Sequence, residues 1–285
     1  MIWVWVLAGF AFLMLAAILY WQLIIAEGTY LGPRVVAWTY DLVASRYDAI
    51  KQFKPRDESW FVARPLLQGL AGVERPLVLD VATGTGRLPL ALLRDHFAAS
   101  GGRIVGLDLS RGMLRRARAK LRPYGEQVWL VWQDARRLPF GDGVFDGVTC
   151  LESLEFMPGP LEVLAEMVRV LSPGGTLLLT NRVGPEARLL PGRAVARPAF
   201  EAALAAHPLH EIEIRPWQVN YDLATARKDG VAPGDGVQVP DLVSLMCCPA
   251  CQGALVRGTG GVACPACGRA YPIREGIVQL AGPER

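Results

Sequence analysis

Two Cys-Pro-Ala-Cys pairs, Cys248 with Cys251 and Cys264 with Cys267, stand twelve residues apart near the end of the chain. Thiolates at that spacing can close a tetrahedral four-sulfur site of the kind structural zinc prefers, with no position left open for catalysis. Cys247 is the spare thiol of the group. A second set of residues has a different chemistry. Asp80, Gly84 and Gly86 in "LDVATGTGRL" follow a short apolar run, Asp108 ends another in "GLDLS", and Asp134 follows a third in "QDARRLPF". Glycines at a strand-to-helix turn let the backbone approach a ligand closely. Carboxylates at the ends of the next strands are placed to take ribose hydroxyls and an adenine edge. A dinucleotide fingerprint would need a glycine where Pro89 stands, which disfavours NAD or FAD. Glu152 and Glu155, in "CLESLEF", lie just past a fourth apolar run, where a second substrate would sit. A carboxylate there can serve as a general base, or it can be the solvated start of a helix.

Those residues need a scaffold, and the alternation of the text supplies one. "PLVLDVA", "RIVGLDL", "QVWLVWQ", "FDGVTCL" and "GTLLLTN" read as buried strands, with helical stretches such as "RGMLRRARAKLR" and "PLEVLAEMVRVL" between them. The pattern predicts an α/β, doubly wound, mostly parallel sheet that binds its ligand at the carboxyl ends of the strands. "HEIEIRPWQVNYDLATARK" reads as the antiparallel pair that finishes such a sheet, and Cys150 as a strand residue. With 52% apolar and 20% charged residues, the chain of 285 can bury a sizeable core. A net charge of +3 does not mark it as a nucleic-acid binder.

"VLDVATGTGRL", "GLDLS", "QDARRLPFGDGVFD" and "RVLSPGGTLLLTN" resemble, in order and spacing, the successive motifs of class I S-adenosylmethionine-dependent methyltransferases. The likeness covers about residues 36–225, and its wording is similar to the ubiquinone/menaquinone-biosynthesis type. It implies a seven-stranded Rossmann-like domain with S-adenosylmethionine as cofactor. It further implies that Asp80, Ala82, Gly84 and Gly86 form the turn beside the methionine and ribose, that Asp108 with Leu109 takes the ribose, and that Asp134 with Ala135 meets the adenine, Cys150 completing the set. Ala82 replaces the usual first glycine, and Arg87 stands where the quinone enzymes often carry Asp. The tail, "LMCCPACQGAL … CPACGRAYPIREGIVQL", resembles the zinc-ribbon family that includes a small activator subunit of RNA and protein methyltransferases. The second resemblance implies a structural Zn2+ and a partner-like module that packs on the catalytic domain or docks another protein.

Residues Ile2 to Ala26 carry no charged side chain, and about 25 helical residues cross a bilayer core of roughly 30 Å with some tilt. Trp3, Trp5, Tyr20 and Trp21 would sit at its two interfaces. The basic n-region of a signal peptide is missing, while Arg34, Arg46, Lys51, Lys54 and Arg56 follow the span, so the expectation is a single-pass cell-membrane anchor with the rest of the chain cytoplasmic. A helix begun near Pro33 puts Val36, Tyr40, Val43, Tyr47 and Ile50 on one face, either to dock on the next domain or to form a lid. The expected order is anchor (1–26), juxtamembrane helix or lid (27–60), methyltransferase domain (61–227), Gly/Pro-rich linker (228–241) and zinc ribbon (242–285). The expected acceptor is a lipophilic small molecule such as a quinone, isoprenoid or lipid. A protein or RNA methyltransferase is the alternative, and a non-catalytic scaffold a further one.

Overall fold

The computed structural model describes residues 1–95, 97–231 and 241–282. Most of the expected linker, at 232–240, and His96 lie outside the described residues. β1 (Leu77–Val81), β2 (Arg103–Asp108), β3 (Val128–Trp132), β4 (Phe145–Cys150), β5 (Leu171–Arg182), β6 (Leu209–Trp217) and β7 (Tyr221–Lys228) form one sheet in the order β6-β7-β5-β4-β1-β2-β3. β1 is paired in parallel with both β2 and β4, whereas β7 runs antiparallel to β5 and β6. All five residues of β1 are buried, because helices cover both faces of a parallel sheet and leave a central strand no wet side. The strand order reverses at β1, so the crevice for a ligand opens between the carboxyl ends of β1, β2 and β4.

The helix Arg111–Leu121 illustrates how local chemistry sets the frame. Ser110 caps it by accepting from the Met113 amide at 3.1 Å, and Met113, Leu114, Ala117 and Leu121 make its buried face. Gly86, with φ +78°, starts the helix Arg87–Arg94; a Cβ there would come within 2.7 Å of Leu121 Cδ1. The glycine thus serves both a left-handed turn and a close helix contact.

α1 (Ile2–Tyr20) continues through a wider helical turn to Ile25 and has no buried residue. Its 24 residues are long and apolar enough to cross a membrane. α2 (Pro33–Val43) starts with Pro33 in its first turn as expected. The anticipated continuous helix breaks after Val43 and resumes as the short α3 (Tyr47–Lys51). The break lets Asp48 reach Thr85 Oγ1 and Lys120, contacts that a continuous helix would aim elsewhere. As a result Tyr40 and Tyr47 face inward, but Val43 and Ile50 of the expected face are 39% and 63% exposed.

The cysteine-rich tail carries β8 (Val256–Gly258), β9 (Gly261–Ala263), β10 (Ala270–Arg274) and β11 (Ile277–Gln279), paired antiparallel in succession. β11 then lies parallel to β3, with Ile277 opposite Leu130, Val278 opposite Val131 and Gln279 opposite Trp132. A Phe140–Met246 bridge and a Cys247 amide donating to Pro139 O at 2.8 Å add a second attachment. The edge of β3, otherwise a row of unpaired backbone groups, is covered by the tail. Leu242, Val243, Met246, Val278 and Leu280 join the main core.

Candidate active site

The loop after β1 is shaped by an internal hydrogen-bond set. Asp80 does not reach the cavity; it is buried and accepts from Thr83 Oγ1 and Thr149 Oγ1, both at 2.7 Å, so its role is to fix the turn. Burial raises its pKa to about 6 against those two bonds. Ala82, at φ +54°, occupies a left-handed conformation that glycine tolerates better. Gly84 also has positive φ, and a Cβ built on it meets nothing within 4 Å, so its open side is ligand space. Asp108 closes the floor by accepting the amides of Gly84 at 2.8 Å and Ser110 at 2.7 Å. Burial pushes it up to about 6, offset in part by those amides. Two carboxylate oxygens offer about four acceptor directions, which leaves capacity for a ribose hydroxyl.

One cavity gathers most of the expected residues: Ala82, Gly84, Asp108, Leu109, Asp134, Ala135 and Glu152 line it. Gly86 and Cys150 do not. Gly86 acts through helix packing, and Cys150, with its Sγ 3.1 Å from Ser153 Oγ, is buried behind the wall. Asp134 is held by Arg136 through a forked pair, Nη2 to Oδ2 at 2.7 Å. The roof is α2, whose Val36, Ala37 and Tyr40 line the cavity, with Tyr47 beside them. Asp41 locks this roof down by accepting from Ser110 Oγ and from the Gly112 amide at 2.6 Å. The chemistry of these residues fits an adenosyl ligand: a glycine opening for the backbone approach and two carboxylates, Asp108 and Asp134, on the lining beside it.

A second cavity adjoins the first and shares Tyr40, Glu152 and Phe156 with it. Its other walls include Glu27, Lys51, Arg182, Gln218, Val219 and Tyr221. Glu152 is bound by Lys51 Nζ at 2.9 Å, by Gln218 Nε2 at 3.0 Å and by Arg87 Nη1. Burial alone would raise its pKa, but Arg87 and Lys51 outweigh that and hold it below the usual range. Arg87 is itself clamped by Glu58 and lies over the rings of Phe53 and Trp217, at 4.1 and 5.2 Å. Glu155 lines neither cavity. It accepts from Tyr221 Oη at 2.6 Å and from Arg182 Nη1 at 3.3 Å, while burial raises its pKa. Composition and period did not reveal this Glu58–Arg87–Glu152–Lys51 cluster or the Tyr221–Glu155–Arg182 group. The one signal was Arg87 directly after the glycine turn.

The four sulfurs of Cys248, Cys251, Cys264 and Cys267 lie within 4.8 Å of one another. Zinc–sulfur bonds of about 2.3 Å in a tetrahedron put sulfurs about 3.8 Å apart. The Cys248–Cys267 and Cys251–Cys264 separations, 3.7 and 3.4 Å, fit that ion. Tyr271 Oη lies 3.1 Å from Cys248 Sγ, the outer support that ligand sulfurs usually have. Cys247 is outside the set.

A family model described as a methyltransferase domain matches residues 79–179, and one described as Trm112p-like protein matches residues 240–276. The chain is 36% identical over 160 residues to a demethylmenaquinone methyltransferase of Clavibacter sepedonicus, covering 55% of this chain and 62% of that one. It is 33% identical over 201 residues to the demethylmenaquinone methyltransferase of Mycolicibacterium vanbaalenii, covering 67% of this chain and 83% of that one. The chain belongs to the class I S-adenosylmethionine-dependent methyltransferases. A methyltransferase of this class with a Trm112-like ribbon is also what its two matched segments describe. Its alignments with three of the quinone-named relatives span about three fifths of their length, 59–62%. The methyltransferase fold is seen again in the complex between the Haloferax volcanii Trm112 methyltransferase activator and a methyltransferase. The likeness there is at TM-score 0.52 and 21% identity over 67% of this chain and 98% of that one.

Proposed function

We propose that the protein is a membrane-anchored methyltransferase that moves a methyl group from S-adenosylmethionine to a lipophilic small molecule, with a quinol-type ring as the favoured acceptor. The observation that carries the reading is the pair of adjoining cavities, one lined by Asp108 and Asp134 and one polar, which share Tyr40, Glu152 and Phe156. The names of the relatives support the quinone class. Bound S-adenosylmethionine supplies an activated methyl on a sulfonium.

The chain's own residues do the rest. Gly84, Asp108 and Asp134 fix the adenosyl end, and α2 excludes water from above. An acceptor held in line at the shared wall needs little further help, since orientation alone can lower the barrier by several kcal/mol, up to roughly 7–11. Ionised Glu152 is placed to accept a hydrogen bond from an acceptor hydroxyl and to hold it in line. Glu155 is a positioning residue that orients Tyr221 at the second cavity. The four-cysteine site would hold zinc for folding, and the ribbon, laid along β3, is read as a built-in partner of the catalytic domain. The anchor is read as single-pass in the cell membrane, with all that follows cytoplasmic, from the cations after the span.

The test combines the full-length protein, methyl-labelled S-adenosylmethionine and fractionated membranes. Label in the organic phase supports the reading, and label confined to protein or RNA sinks it. A second reading rests on one observation: the cleft between ribbon and catalytic domain is lined by Arg111, Arg137, Arg269 and Arg274 near Trp132. A protein or RNA acceptor bound there is the outcome that the aqueous fractions would report.

A further inference from the structure

The anchor is not a loose tether. Past Ile25 the chain turns at once into the catalytic domain, where Ala26 and Thr29 are fully buried. Contacts grip this junction from both sides. Trp21 Nε1 donates to Leu189 O at 3.0 Å and its ring stacks on Tyr30 at 5.1 Å, while Tyr30 Oη donates to Pro191 O at 2.8 Å. Thr29 Oγ1 donates to Phe156 O at 3.2 Å, and Arg193 Nη2 to Thr29 O at 3.1 Å. A left-handed Gly28 allows the turn; a Cβ there would come within 2.8 Å of Val35 Cγ1. The axis of the apolar helix is therefore fixed relative to the cavities.

Depth follows from the same contacts. Trp21 lies four residues before Ile25, at most about 6 Å back along the helix, the α-helical 1.5 Å per residue being an upper limit for this wider turn. The segment it holds, with Leu189 45% exposed, is drawn to the level of the membrane interface. Glu27, the second residue after Ile25, lines the second cavity, and Val219 on the same lining is 91% exposed.

We propose that the second cavity opens into the headgroup layer and loads its acceptor sideways from the bilayer, an inference that rests on the membrane-anchor and lipophilic-acceptor readings above. The ligand class is a lipid with a compact, hydrogen-bonding head and a long apolar tail. The head enters between Tyr40, Lys51, Arg182 and Gln218, groups that can bond hydroxyl or oxo substituents. The tail stays among the lipid chains past Val219 and Leu189. A rigid junction makes this geometry permanent, so the acceptor never has to leave the membrane for water.

The test uses the full-length, zinc-loaded chain in phosphatidylcholine vesicles containing a headgroup nitroxide lipid. In a Cys247→Ser background, Val219→Cys carries a bimane label, and Val256→Cys on β8 is the control. The expected result is loss of most bimane emission at 219 but not at 256, and recovery at 219 when a twelve-residue Gly/Ser segment is inserted after Ala26. Equal emission at the two sites in protein that floats with the vesicles overturns the proposal while leaving the anchor intact. Failure to float overturns the anchor reading and the proposal with it. The readout needs no methyl transfer, so an unreactive acceptor does not affect it.

Discussion

Zinc removal is expected to weaken S-adenosylmethionine binding although no cysteine touches the cofactor cavity. The connection runs through β3. The Leu280 and Ala281 amides both donate to Trp132 O, at 3.0 and 2.9 Å, and Gln279 pairs with the same residue. Trp132 in turn donates from Nε1 to Leu109 O at 2.8 Å, and Arg111 lies 3.7 Å over its ring. Leu109 is a lining residue and the neighbour of Asp108. A four-thiolate ribbon of this size folds with its metal, at about 10–16 kcal/mol for zinc. Without it, Ile277, Val278 and Leu280 leave the core, at an upper bound of about 5–9 kcal/mol for three aliphatic side chains. The cofactor site itself loses the fixed position of Trp132. One or two neutral hydrogen bonds are worth about 1–2 kcal/mol, or on the order of tenfold in Kd. Titration calorimetry with S-adenosylmethionine, before and after chelation and again after zinc is restored, measures this directly, with a chromophoric chelator to confirm release. Unchanged affinity in a chain shown to be metal-free would refute the route through Trp132.

Arg87→Met should strand Glu58, whose side chain is 11% exposed, and leave Glu152 with Lys51 and Gln218, at a cost of about 3–5 kcal/mol in denaturant unfolding. Adding Glu58→Gln should recover part of the loss. Asp108→Ala removes a carboxylate that holds the Gly84 and Ser110 amides and should weaken cofactor binding by about 1.5–3 kcal/mol, roughly ten- to a hundredfold, measured by calorimetry. The pH dependence follows from raised carboxylates: Asp80 and Asp108 titrate near 6 in the fold against an ordinary value of 3.8. The native state then binds protons more readily than the unfolded chain between those values. Their contribution to stability is present in full below about 4 and lost as pH rises through about 6. Cofactor affinity should move the opposite way and fall as pH drops through 6, because the ionised Asp108 is the better acceptor. Asp108→Asn should flatten that affinity profile.

Much of the candidate cavity's lining was legible because its pattern is local. Asp80, Gly84 and Asp108 sit at strand ends that apolar runs announce, and a parallel sheet brings the carboxyl ends of adjacent strands together whatever the loops do. The four cysteines were legible for a similar reason, since two knuckles at fixed spacing need only one antiparallel turn to meet. Residues whose roles depend on distant partners were read less well. Glu152 reads from sequence as either a general base or the solvated start of a helix, and it is in fact buried and paired with Arg87 and Lys51 rather than solvated. Gly86 reads as a ligand contact, and it serves helix packing against Leu121. The face predicted for the juxtamembrane helix lost Val43 and Ile50 because the helix breaks after Val43, and the second piece is turned so that Asp48 meets Thr85 and Lys120.

By itself, the sequence determined the classes of the parts: an apolar helix, a methyltransferase sheet and a thiolate ribbon. Each is specified by short-range pattern, whether hydropathy over one span, alternation over one strand or spacing over one knuckle. Only the tertiary structure decided how the parts meet. β11 pairs with β3 from nearly 150 residues away in sequence, and Trp21 reaches Leu189 across a separation of 168. Such pairings depend on which edges and surfaces remain uncovered once the local elements have packed, and no window of sequence contains that information.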